Sequence, residues 1–104
     1  MNQNAWRYAA GFPYRVTGDD CYPIETTVWC RTARDARDAI AFCIDSLRCR
    51  APMAYRVFRD GSVKRAPWLI RSNYHRGLVL GPFLTYDEAM EHTDEDTHVD
   101  ELIN

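Results

Sequence analysis

No lysine or arginine occurs after residue 76, and the part before it contains a single lysine, Lys64. Residues 1–76 hold all 13 Lys+Arg, twelve of them arginine, against seven acids (Asp19, Asp20, Glu25, Asp35, Asp38, Asp45 and Asp60), a net +6. Residues 77–104 hold eight acids (Asp87, Glu88, Glu91, Asp94, Glu95, Asp96, Asp100 and Glu101) and no base, a net −8. The formal charge of −2 therefore conceals a strong dipole. Charge distributed this way steers and repels partners more than it specifies a fold. Arginine in place of lysine suits bidentate carboxylate or phosphate contacts and stacking on rings, although a GC-rich genome alone would produce the same bias.

Other absences exclude whole classes. No run of about 18 apolar residues exists, and the polar start Met1-Asn2-Gln3-Asn4 leads into no apolar stretch, so neither a membrane span nor an export signal is expected and the protein is expected in the cytoplasm. The four cysteines, Cys21, Cys30, Cys43 and Cys49, form no Cys-x-x-Cys pair, and there is no His-x-x-x-His. Structural zinc sites draw two ligands from one tight knuckle, so the thiols are read as reduced, with no metal and no cofactor. There is no Gly-x-Ser-x-Gly elbow and no Gly-rich phosphate loop. Asp19-Asp20 beside Cys21 would raise that thiol's pKa, the wrong direction for a nucleophile. His75, His92 and His98 all lie in polar segments and read as solvated. No catalytic residue is expected.

What the sequence does contain is one domain, residues 1–104, with 46% apolar and 12% aromatic residues. A chain of this length can bury roughly two-thirds of its unfolded surface without staples. Residues 6–16 are aromatic-rich and predict a first strand, broken or at an edge because of Pro13. Turn chemistry at 17–20 leads into Ile24–Trp29, a β-branched second strand. Thr32 with Asp35 opens a helix to about Cys49, in which Ala36, Ile40, Cys43 and Leu47 fall at helical spacing opposite a charged face. Pro52 ends any continuation of it.

Met53–Arg59 and Ser62–Ile70 predict a hairpin through Asp60-Gly61, the second strand weakened by Pro67. Leu78-Val79-Leu80 predicts another strand. Thr85 with Glu88 then opens a short second helix, and residues 93–104 predict an acidic, frayed end. The order ββα-βββα implies an α+β fold: an antiparallel β-sheet of four to five strands with two helices on one face.

Gly81-Pro82-Phe83 ahead of a Thr-capped Glu-Ala helix resembles the second half of the peptidoglycan-binding domain of sporulation-related and division proteins, over about a dozen residues. The resemblance implies work outside the cytoplasm behind a membrane anchor. No anchor or export signal is visible in the sequence, and the family is not assigned.

Two surfaces are candidates for function. The acids Asp87, Glu88, Glu91, Asp94, Glu95 and Asp96 could present carboxylates at phosphate-like density to a basic surface on another protein. They could equally fold back as a counter-charge for the Arg-rich body or be a solvated terminus. Alternatively, Tyr55-Arg56-Val57-Phe58-Arg59 alternates so that Arg56 and Phe58 share a face. With Arg7, Arg59, Trp68 and Arg71, such a face would suit single-stranded nucleic acid through stacking and phosphate contact. The primary expectation is a non-enzymatic protein that binds a macromolecular partner. It has the type of small phage or mobile-element inhibitors, including anti-CRISPR-like ones, that occupy a basic groove of a nucleic-acid-handling complex. The alternative is a single-stranded nucleic-acid-binding module.

Overall fold

A computed structural model of the chain describes residues 2–19, 25–45, 50–75 and 77–102. Cys21, Leu47 and Cys49, singled out above, lie outside the described residues. The order is α1 (Gln3–Ala9), β1 (Tyr14–Asp19), β2 (Glu25–Cys30), α2 (Ala33–Asp45), β3 (Arg50–Val57), β4 (Val63–Arg65), β5 (Trp68–Ser72), β6 (Leu78–Phe83), α3 (Tyr86–Met90) and β7 (Thr97–Glu101). The fold is α+β with antiparallel pairing throughout, but the strands form two sheets, β2-β1-β3-β4 and β6-β5-β7. Among the described residues no helix is long and apolar enough to cross a membrane.

Residues 6–16 do not form one strand. Asn2 caps a helix instead, accepting the Ala5 amide at 2.8 Å, and the strand begins only at Tyr14. The cap satisfies a donor that an α-helix leaves orphaned, and Ala5 buries under it, which outweighs the alternating aromatic pattern. Ser62–Ile70 also divides. Ala66-Pro67 separates β4 from β5, because proline offers no N–H to continue the ladder; its carbonyl instead accepts the Leu102 amide at 2.8 Å.

The hairpin and the two later helices follow their local chemistry. Gly61 at φ +86° makes the turn from β3 to β4, and Ser62 donates from both its amide and its hydroxyl to Asp60. Those hydrogen bonds, the hydroxyl's foremost, hold the Asp60 carboxyl below its ordinary value. Thr32 Oγ1 accepts the Asp35 amide and Thr85 Oγ1 the Glu88 amide, each at 3.1 Å, so both capping motifs start helices as written.

One buried core joins the halves. Ala36 and Ile40 of α2 pack with Val16, Cys30, Met53 and Ala54 of the first sheet and with Leu69 and Leu102 of the second. Cys43, on the same stripe of α2, is also buried. Leu102 draws the acidic end into the core, and β7 pairs with β5 from Ser72↔Thr97 to Trp68↔Glu101. The segment expected to fray is thus the edge strand of a sheet. The unexpected helix α1 lies across the first sheet from α2. Val16, Cys30 and Ala54 meet α2, whereas Arg15 and Trp29, alternating with them in register, meet Asn4 and Arg7 of α1 on the opposite side.

Candidate interaction surfaces

The register of the first sheet sets basic and aromatic side chains in two rows across the strands. On the α1 side the row runs Trp29, Arg15, Tyr55, Arg65, from β2 to β4. The Arg15 guanidinium lies 4.7 Å from the Tyr55 ring centre and 5.8 Å from that of Trp29, and Arg7 adds a second cation over Trp29 at 5.2 Å. On the α2 side, Arg56 sits between Tyr14 and Lys64 in register, 5.1 Å from the Tyr14 ring. Lys64 lies over Phe58 at 5.6 Å, and Arg31 over Phe12 at 4.2 Å. These are cation–π distances, at which the negative face of a ring attracts the charge.

Rings, and not carboxylates, hold these cations. Among the described residues none of Arg7, Arg15, Arg31, Arg56 and Lys64 has an acid within ion-pair distance. The Nε atoms of Arg7, Arg15 and Arg56 are buried without a hydrogen-bond partner. The protein's own cations already cover the aromatic faces of Trp29, Tyr55, Tyr14 and Phe58.

The six residues considered for a nucleic-acid face are not brought together. Arg7 is on α1 against Trp29, and Arg56 projects from the other side of the sheet. Phe58 and Arg59 are at the β3–β4 turn, lining a small depression with Tyr8 and Lys64. Trp68 lies in the second sheet, edge-on to Tyr86 at 5.2 Å, and Arg71 is ion-paired there with Asp100. Arg15, Trp29 and Tyr55, the centre of the stacked row, were missed. The signal was present in Tyr14-Arg15-Val16 and Trp29-Cys30, where Val16 and Cys30 are in the core, Tyr14 packs against it, and the alternating Arg15 and Trp29 must face away.

The acids gather on the second sheet and its α3–β7 connection. Asp94 Oδ1 accepts the Asp96 amide at 2.9 Å and the Thr97 hydroxyl at 3.1 Å, and Thr97 Oγ1 in return accepts the Asp94 amide at 3.0 Å. The Tyr74 hydroxyl donates to Asp96 at 2.9 Å, and Asn73 donates to the Glu95 carbonyl at 3.2 Å. Asp94 and Asp96 thus build the turn, on which Glu95 is exposed; Asp87 is exposed and Glu88 half-buried in the first turn of α3, and Glu91 is exposed at its C-cap. Among the described residues Asp100 is the acid that ion-pairs with an arginine, Arg71.

Cys30 and Cys43 are buried and in no disulfide, and burial, with the Asp35 charge adding to it, pushes the Cys30 thiol up to about 11. Among the described residues no three His, Cys, Asp or Glu side chains cluster as metal ligands. Compared with known proteins, the chain matches no family model, and no curated protein or solved structure shows significant similarity to it.

Proposed function

We propose that this is a non-enzymatic cytoplasmic protein that binds a macromolecular partner through its acidic end. The observation that carries the reading is the α3–β7 turn. Its backbone is fixed by Asp94, Thr97 and Asp96, and among the described residues no cation lies within ion-pair distance of Asp87, Glu88, Glu91 or Glu95. Carboxylates held on a rigid turn bind a basic surface without first losing the entropy of a flexible tail. Their clustering gives long-range attraction that raises the association rate. A basic groove of a nucleic-acid-handling complex has the matching chemistry, and occupying it would make the protein an inhibitor of the phage- or mobile-element type, anti-CRISPR-like in action. The cations on the opposite half would repel the rest of such a basic partner and so orient the docking.

A second reading has its own observation. Among the described residues Arg15, Arg56 and Lys64 have no acid within ion-pair distance. Their charges favour contact with nucleic-acid phosphates, although the rings beside them are already covered by those cations and are poor platforms for bases. Two variants separate the readings. One carries D87N, E88Q, E91Q and E95Q, with Glu88 half-buried and the other three exposed; the other carries R59Q, K64Q and R65Q, with Lys64 and Arg65 exposed and Arg59 half-buried. Pull-down from nuclease-treated host lysate is expected to retain the partner with the cation variant and lose it with the acid variant. The opposite pattern, or a partner recovered only when nucleic acid is intact, would sink the acidic-surface reading. Fluorescence anisotropy with a single-stranded oligonucleotide then tests the second reading directly, since phosphate contact requires affinity to fall steeply with salt.

A further inference from the structure

A cleft of about 770 Å³ lies between the end of α2, the β5–β6 connection and β7. His75, His98, Asn73 and Tyr74 line it together with the apolar Ile44 and Leu78. A volume of this size is ordinary for a small-molecule site.

Its two histidines are oriented in opposite senses. Asn73 donates its amide Nδ2 to the Glu95 carbonyl, which turns Oδ1 toward His98, 2.7 Å from Nδ1. A carbonyl oxygen only accepts, so His98 Nδ1 must carry the proton, and neutral His98 keeps its lone pair on Nε2. At His75 the logic reverses. Nδ1 accepts the Gly77 amide at 3.0 Å, so the proton sits on Nε2. The ring nitrogens left for a ligand are thus an acceptor on His98 and a donor on His75. A partner in a third group that fixes a histidine tautomer is the arrangement found where the free nitrogen has a task.

Tyr74, which also lines the cleft, exposes 79% of its surface, yet its hydroxyl is tied to Asp96, so the ring is held in place as a flat, wet platform. Large rings are normally buried, and an anchored exposed ring at the mouth of a polar cleft is suited to stacking.

We propose that this cleft binds a planar heterocycle of the nucleobase class, with its ring stacked on Tyr74. One edge donates to His98 Nε2 and accepts from His75 Nε2, while Ile44 and Leu78 form the apolar wall. The site stands independently of the acidic-surface function. Its chemistry fits a free nucleotide or one base of a single strand equally well.

The test is NMR titration of the full chain with uridine, adenosine, ribose 5-phosphate and a single-stranded oligonucleotide, each read at the His75, His98 and Tyr74 side chains. Long-range proton–nitrogen spectra are expected to show His98 protonated on Nδ1 and His75 on Nε2 before any ligand is added. The nucleosides are expected to shift all three residues, and ribose 5-phosphate none. Tighter binding of the oligonucleotide with the same shifts would assign the base to a strand; binding of monomers alone would assign it to a free nucleotide. N73A is expected to abolish the single-tautomer signature of His98 and weaken nucleoside binding by about tenfold, the loss of one oriented hydrogen bond. Amide spectra check that this variant stays folded, and H98A provides the same readout should it not. Absence of nucleoside shifts at about 10 mM, an affinity too weak to matter, would overturn the proposal. Equal response to ribose 5-phosphate would overturn it too, by showing an anion site.

Discussion

At the scale of single residues, burial decides which of the chemically suggestive side chains do anything. Ile40 is fully buried between the sheets' core residues, so Ile40→Ala is expected to cost about 2–4 kcal/mol in urea melts. A change below about 0.5 kcal/mol, the usual range for surface positions, would show the packing of α2 to be wrong. Cys30 gives a pH signature. Its thiol ordinarily ionises near 9.0, and the fold moves this to about 11, so between those values the unfolded chain has released a proton that the folded chain retains. Stability contributed by this residue is complete below pH 9 and is expected to fall as pH rises toward 11. Cys30→Ala, compared with the parent in melts across pH 8 to 11, should remove that part of the slope. The same thiol should resist alkylation at neutral pH until the protein unfolds.

At the scale of elements, the C-terminal strand separates a structural segment from a tail. β7 pairs with β5 along its length, and Leu102, 7% exposed, sits in the shared core. Burying one leucine contributes about 1.5–3 kcal/mol, and each kcal/mol moves the Tm of a domain this size by about 4–8 °C. Deleting residues 97–104 is therefore expected to lower the Tm by about 10 °C or more in calorimetry, before any loss of ladder hydrogen bonds is counted. A change of only a degree or two would mean that the acidic end does fray. Periodicity made α2 legible because its stripe of Ala36, Ile40 and Cys43 repeats at one spacing. It misled at residues 6–9, where an alternating Trp-Arg-Tyr resembled a strand while Asn2 and Ala5 decided for a helix.

At the scale of the molecule, the charge division of the sequence becomes a division in space. The cation rows lie on the four-stranded sheet and the acids of residues 87–101 on and beside the three-stranded one, in a body measuring 44 × 32 × 19 Å. Physiological salt screens charge over ~8 Å, so exposed charges farther apart than that act separately on a partner. Converting Asp87, Glu88, Glu91 and Glu95 to amides is expected to slow association with the partner and flatten its salt dependence, measured by surface plasmon resonance. The Tm should stay within a few degrees, because among the described residues these side chains, unlike those of Asp94, Asp96 and Asp100, form no internal hydrogen bond or ion pair. If the variant instead binds normally and melts well below the parent, the acids serve stability, and the cationic rows around Arg15 become the surface to test.

The sequence by itself determined the α+β class, the two threonine-capped helices, the Asp60-Gly61 hairpin and the polarity of charge, because each depends on neighbours a few residues apart. It could not decide that the strands divide into two sheets, since that depends on where Pro67 interrupts a ladder and on Leu102 returning from far along the chain to close the core. Nor could it align Trp29, Arg15, Tyr55 and Arg65. That row exists only through the pairing register of four strands, and a one-residue slip in any of them would turn its member to the other face. The cleft is a tertiary product for the same reason. His75 and His98 are separated by 22 intervening residues, and only the β5–β7 pairing with the Asn73–Glu95 bond brings them to one site and orients them.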